Sequence, residues 1–261
     1  MTALGIGLLV WMGLTVLVWG LCSSAARGDR AQAAVRLQER SGIAAEARTR
    51  LVERRLLHEL GRHDGFTGRH SERVARLAGS VGRRLGLPPD ALRALVRAAA
   101  LHDVGKLRVP DVILGKPGRL DAAEWAIIAR HPDWGAAMLC ELLERGEGLD
   151  AVRSHHERFD GGGYPDGLAG SAIPLMGRIV GACDAYDAMT STRPYQPSRT
   201  RAAALAELAR CSGTQFDPAV VAALEAAVRA GADLAPGPAA RSRSRFRRSG
   251  ARRGALLRAY Y

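Results

Sequence analysis

Apolar residues recur at helical spacing along most of the chain. In "HSERVARLAGSVGRRLG", Val74, Leu77, Val81 and Leu85 fall on one face, and "PPDALRALVRAAALHDVGK" opens with Pro and Asp, as helix starts do. Asp121 followed by Glu124 forms a capping-box pattern ahead of "WAIIARHP". Pro132 and Gly135 are expected to separate that helix from "WGAAMLCELLER", and "LDAVRSHHERF" predicts a further helix carrying adjacent His155 and His156. Residues 160–170 are too rich in glycine for a helix. Helical periodicity returns at 175–191, 199–211 and 218–230.

The first segments follow a different pattern. Residues 3–22, "ALGIGLLVWMGLTVLVWGLC", carry no charge, and at about 1.5 Å per residue they span the ~30 Å of a bilayer's hydrocarbon core. Nothing basic precedes them, which favours one membrane helix over a cleaved signal peptide. Arg27, Arg30, Arg36 and Arg40 follow directly, so the positive-inside bias puts the rest of the chain in the cytoplasm. Residues 29–62 read as a charged helix with a weak apolar stripe of Val35, Ile43, Ala47 and Leu51. A solvated stalk and a short dimerising coil, hence a homodimer, are both compatible with it. The expected organisation is a membrane anchor over 1–26, a stalk over 27–60, a catalytic domain over 61–232 and a basic tail over 233–261.

Composition narrows the fold class to all-α. Apolar residues make up 47% of the 261 and aromatics only 5%, with many Ala, Leu and Val, where β folds draw on aromatic and β-branched side chains. Of the net charge of +12, the eight arginines of 236–261 account for +8, and residues 27–55 account for +4. Residues 56–235 are therefore neutral, which argues against a nucleic-acid partner for the catalytic segment. The Arg-rich tail suits anionic lipid, held near the membrane by the anchor, with RNA contact and plain solubility as the alternatives. Cys22, Cys140, Cys183 and Cys211 form no CxxC pair and read as reduced, mostly buried residues.

Candidate chemistry gathers around the histidines. His102 precedes Asp103, His131 sits in "RHPDW", His155 and His156 are adjacent, and Asp184 lies in "VGACDAYDAMTS". A helical bundle can turn such groups from several helices toward one centre. Adjacent residues on a helix point about 100° apart, so His155 and His156 are expected to serve two different ions, with Asp103 bridging them. Two ions a few ångströms apart activate water and hold the attacking and leaving oxygens of a displacement at phosphorus. Lys106 is one of only two lysines in an arginine-rich chain, the other being Lys116. Three residues after Asp103, its compact ammonium can reach a phosphate oxygen or give up a proton, where an arginine cannot.

"HDVGK", "HHERFDGGGYP", "CDAYDAMTSTRPY" and "GTQFDP", in that order and spacing, resemble the HD-GYP family of metal-dependent phosphohydrolases over about residues 60–230. The resemblance implies an HD-type helical bundle with additional C-terminal helices, here preceded by the transmembrane helix. It implies His70, His102, Asp103, His131, His155, His156 and Asp184 as metal ligands, and hydrolysis of cyclic di-GMP to pGpG or on to GMP. The GYP tripeptide is Gly163, Tyr164 and Pro165, expected to border the substrate with the tyrosine stacking on guanine; Arg193 and Tyr195 are further substrate contacts. Asp103 and Lys106 are the catalytic candidates. The pattern departs where some members add a glutamate and a third metal, since this chain has Phe66 there and two ions are expected. It departs again at "STRPYQ", where Thr192 and Gln196 replace common charged residues; phosphate contacts are then weaker, or Arg199 compensates. Mixed imidazole and carboxylate ligation fits iron or manganese. The alternatives are an HD phosphohydrolase acting on another nucleotide or RNA, and a non-catalytic cyclic di-GMP receptor. The expected location is the cytoplasmic membrane, single-pass, with the catalytic domain inside.

Overall fold

The computed structural model describes residues 40–232, apart from 41, 45, 63–66, 117, 141, 144–145 and 192–197. The expected membrane anchor at 3–22, the basic tail, Phe66, Arg193 and Tyr195 lie outside the described residues. Among the described residues, no helix is long and apolar enough to cross a membrane. The chain divides into two units, Met1–Val52 and Glu53–Tyr261. In the first, residues 46–52 are helical, and Ile43 and Leu51 are exposed.

The second unit is helical and contains only isolated bridges, Asp160 with Ala169 and Ser212 with Phe216, among its described residues. It opens with α1 (53–62), then α2 (Thr67–Arg84) and α3 (Pro89–Leu101). A 3₁₀ helix (Val104–Arg108) leads to the short α4 (Asp111–Leu114) and α5 (Ala122–Ile128). There follow α6 (His131–Leu139), α7 (Glu147–Ser154), α8 (Leu175–Thr190), α9 (Arg201–Arg210) and α10 (Pro218–Arg229). The all-α expectation holds.

The apolar stripe of α2 is buried as its spacing demands: Val74, Leu77 and Val81 enter the core. Helix α8 is buried nearly all round, which follows from its run of Ile, Val, Ala and Met with no charge but Arg178, Asp184 and Asp187. It packs on α2, α7, α9 and α10, so its side chains lie at the axis of the bundle. A smaller cluster of Val109, Ile113 and Ile128, with Trp125 and Trp134 against it, ties α4 to α5. Capping follows the sequence. Asp121 accepts from the Glu124 amide while Glu124 accepts from that of Asp121, and Thr200 and Asp217 cap α9 and α10.

Three expectations are corrected. Pro132 does not separate helices; it sits in the first turn of α6, where its missing N–H is not needed, and Gly135 lies inside that helix. His155 and His156 are not on a helix, because α7 ends at Ser154. Of the three described cysteines only Cys183 is buried; Cys140 is exposed and Cys211 intermediate.

Two close approaches fix the geometry of the bundle near its centre. A Cβ on Gly105, in the 3₁₀ helix, would stand 1.9 Å from the His131 carbonyl oxygen, and one on Gly181 of α8 would stand 2.5 Å from that of His155. Both neighbours are backbone and cannot swing away. Gly105→Ala is therefore expected to cost at least the ~1–3 kcal/mol typical of overpacking. A fall in the urea midpoint relative to wild type, at equal helix content, is the measurement that checks it.

Candidate metal centre

Five segments deliver the seven donors expected from the sequence. His70 lies on α2, His102 and Asp103 follow α3, His131 opens α6, His155 and His156 follow α7, and Asp184 is central in α8. All but His156 are buried.

Three of the histidines are set by one device. His102 Nδ1 lies 2.8 Å from the Ala99 carbonyl oxygen, His131 Nδ1 2.8 Å from that of Ile128, and His155 Nδ1 2.7 Å from that of Val152. Each carbonyl is three residues back, in the last turn of α3, α5 or α7, where helix carbonyls lack an intrahelical partner. A carbonyl only accepts, so each Nδ1 carries the proton and each Nε2 keeps its lone pair.

Those lone pairs converge. Donor atoms of His70, His102 and Asp184 lie within 4.8 Å of one another, and so do those of Asp103, His131, His155 and His156. Both His155 and His156 therefore fall in one group, which corrects the expectation that they serve different ions. The 100° rule does not apply past the end of α7, and their rings lie 4.1 Å apart. Asp103 joins the groups: Oδ2 is 3.5 Å from His102 Nε2, and Oδ1 is 3.5 Å from His131 Nε2. Asp184 Oδ1 lies 3.1 Å from His70 Nε2 and 3.9 Å from His102 Nε2.

The donor set fits divalent cations on its own terms. His102 Nε2 is buried with no hydrogen-bond partner. His131 Nε2 and His155 Nε2 face each other at 3.3 Å, and with both protons held at Nδ1 neither has one to share. Such a contact is no hydrogen bond, and an unpartnered buried acceptor costs ~1–3 kcal/mol. A cation would turn each of these lone pairs into a ligand.

Electrostatics point the same way. Burial holds His131 down at about 4, reinforced by Lys106, and keeps His155 and His156 well below the usual imidazole range, reinforced by neighbouring imidazoles. Burial would raise Asp103, yet Lys106, His102 and His131 hold it well below the carboxylate range. Burial would likewise lower His70, but hydrogen bonds to Asp184 and Asp187 outweigh it and lift it to about 9. Anionic carboxylates beside neutral His131, His155 and His156 are the protonation states that metal ligation requires, whereas His70, held protonated by Asp184 and Asp187, would release a proton on ligation.

Lys106 reaches the centre by a route the sequence does not specify. Helix α3 ends at Leu101, and the chain enters the 3₁₀ helix, in which residues three apart eclipse. Lys106 Nζ accordingly donates to Asp103 Oδ2 at 2.7 Å. The GYP loop also meets the metal centre. The Tyr164 ring stacks on His156, centroids 4.9 Å apart and planes at 17°, and Trp125 meets it edge-on at 5.9 Å. One face of the tyrosine expected to stack on guanine is thus covered by His156.

Four contributors escaped the sequence reading. Asp187 Oδ2 accepts from His70 Nδ1 at 2.7 Å, and Arg73 donates to Asp187 from Nε and Nη2 at 2.5 and 2.8 Å. Each stands three residues after a donor, Asp187 after Asp184 and Arg73 after His70, and that spacing was the available signal. Glu157 follows the histidine pair, and its carboxylate accepts from the backbone N–H of Asp166, Gly167 and Leu168, ordering the GYP loop. Trp125 had no signal; its role comes from the apposition of α5 and the loop.

Helix ends converging on paired His/Asp donor groups define a helical domain built around a metal centre. A model of the HD domain family matches residues 55–220, and the chain belongs to that family. A cyclic di-GMP phosphodiesterase response regulator, RpfG of Xanthomonas campestris, is 44% identical over 181 residues, covering 69% of this chain and 48% of that protein. A 3'3'-cGAMP-specific phosphodiesterase 2 of Vibrio cholerae is 38% identical over 59% of this chain and 30% of its own length. The chain thus spans less than half the length of these relatives. The crystal structure of a V. cholerae cyclic GMP-AMP phosphodiesterase, V-cGAP3, shares the fold with a TM-score of 0.51 at 21% identity, over 65% of this chain and 46% of that one.

An asparagine at 187 cannot accept from both His70 and Arg73 as the carboxylate does. Asp187→Asn is expected to weaken metal binding about 10–100-fold, as loss of a partner behind a ligating histidine does. Competition against a chromophoric chelator measures it, with helix content as the control.

Proposed function

We propose that this chain is a metal-dependent phosphodiesterase that hydrolyses cyclic di-GMP to pGpG, GMP or both. The observation that carries this reading is Asp103, whose two oxygens face two separate donor groups at equal distance. Two divalent ions, iron or manganese, are assigned to those groups: His70, His102 and Asp184 for one, His131, His155 and His156 for the other, with Asp103 between them. When bound, such a pair supplies an activated water and stabilises the charge that develops on the phosphoryl oxygens. The chain's own residues do the rest. Lys106, one-fifth exposed, stands beside Asp103 where a substrate phosphate would approach and serves as its proton or charge partner. Gly163, Tyr164 and Pro165 wall the substrate side, and Arg193 and Tyr195 contact the dinucleotide. The relatives' names support the substrate class.

A second reading keeps the centre and changes the substrate to 3'3'-cGAMP, favoured by the V. cholerae relative named for that specificity. Parallel turnover assays with cyclic di-GMP, 3'3'-cGAMP and single-stranded RNA separate the readings. Faster turnover of 3'3'-cGAMP or RNA would displace the first. The proposal also places the catalytic unit in the cytoplasm, tethered by residues 3–22 and steadied on anionic lipid by the arginines of the tail. Its support is the uncharged run and the arginines that follow it.

His102→Ala combined with Asp103→Ala is expected to bind less metal and lose hydrolysis of cyclic di-GMP; full activity would sink the metal assignment. Lys106→Arg should keep its metal, seen by elemental analysis of anaerobically purified protein, and lose about a hundredfold in kcat, the low end of general acid–base contributions.

A further inference from the structure

Of the seven donors His156 alone is not buried, so packing in the core does less to fix its ring than it does for the others. The GYP loop supplies what the core does not. Tyr164 stacks on the His156 ring with the planes 17° apart and the centroids at 4.9 Å, while His155 and His131 meet it at 4.1 and 5.0 Å, inclined by 45° and 79°. A nitrogen lone pair lies in the plane of its imidazole. Setting that plane sets the directions in which His156 can present a donor.

The loop is in turn gripped by the stem that carries the histidine pair. Glu157, next to His156, accepts from the backbone N–H of Asp166, Gly167 and Leu168 at 2.7, 3.1 and 3.0 Å. Arg153 of α7 donates to both carboxylate oxygens of Asp166 at 2.9 and 2.7 Å and pairs with Asp133 of α6. These ion pairs are more than one-third exposed and contribute little each, so the weight of the grip falls on the Glu157 carboxylate. The two limbs also meet through their backbones. The Gly170 N–H donates to the Phe159 carbonyl at 2.9 Å, and a Cβ on Gly163 would overlap the backbone of Glu157 and Arg158. Tyr164, next in the chain, is thereby brought over His156, and its own N–H donates to the His156 carbonyl at 3.3 Å.

We propose that Tyr164 is a positioning residue for the metal centre, holding His156 in the plane from which it ligates, and that Glu157 acts through it by keeping the loop closed. The inference rests on the metal reading of the donor groups. An imidazole that gives a lone pair to a cation becomes electron-poor, and the face of a phenol ring is electron-rich, so the stack strengthens when the ion binds. Ion and loop then stabilise each other.

Titration of the full-length chain with manganese against a chromophoric chelator tests this. Tyr164→Phe keeps the ring and is expected to bind metal as wild type does. Tyr164→Ala should lose at least about tenfold in affinity for one ion, the low end for a partner that orients a ligand, with unchanged helix content. Glu157→Gln sets an amide donor against the backbone N–H groups and should weaken the same ion. Combined with Tyr164→Ala it should cost little more, because both act on one imidazole. The effect is reciprocal, so hydrogen exchange over residues 157–170 should slow when wild type takes up manganese and should not in Tyr164→Ala. Should Tyr164→Ala not fold, Glu157→Gln and the exchange of wild type carry the test. A Tyr164→Ala chain that binds metal as tightly as wild type and changes only KM for the cyclic dinucleotide assigns the ring to the substrate and overturns the proposal. Loop exchange indifferent to manganese in wild type overturns it as well. A wild-type chain that takes up no divalent ion overturns the metal reading, and this inference with it.

Discussion

The position of one proton on three imidazoles governs this domain. His102, His131 and His155 each donate Nδ1–H to a carbonyl of their own preceding helix turn, which leaves Nε2 as an acceptor aimed inward. The same bond does two jobs. It occupies a carbonyl that a helix end leaves without an intrahelical partner, and it fixes the side chain that the centre needs. Ring orientation thereby becomes a property of where a helix stops. Three of the helices α3, α5 and α7 must terminate within a residue or two of where they do.

Bringing those ends together is a steric problem before it is an electrostatic one. The Gly105 and His131 backbones touch, as do those of Gly181 and His155, and α8 runs through the middle with small residues on most sides. With the backbones in contact, four buried imidazoles, one half-buried and two carboxylates share a small volume. Lys106 on Asp103 and the Asp187–Arg73 pair behind His70 place opposite charges at the two ends of that volume. Lys106 and the neighbouring imidazoles keep Asp103 ionised in spite of burial, and His70 with His102 does the same for Asp184.

Much of this was legible in the residues. The seven donors are set out by short motifs, the helices by apolar spacing, and the α5 capping box by two acids three residues apart. What could not be read was how the donors divide, because that depends on α7 ending at Ser154 rather than running through the histidine pair. Nothing in "LDAVRSHHERF" marks that stop. Lys106 was expected to reach a phosphate oxygen or give up a proton; its contact with Asp103 was not foreseen and comes from a 3₁₀ turn. Asp187 and Arg73 were missed because their meaning lies in the apposition of α2 and α8, more than a hundred residues apart in the chain. The stacking of Tyr164 on His156 likewise depends on a loop folding back on its own stem, held by Glu157.

The carbonyl-latched histidines carry a consequence for how the centre fills. In small zinc-dependent domains the ion supplies the folding energy and the empty chain has no shape. Here the three latches are hydrogen bonds to backbone carbonyls of α3, α5 and α7, so the rings are aimed by the helices as well as by any ion they hold. A substitution that shifts one of those helix ends would therefore misaim a donor without touching it.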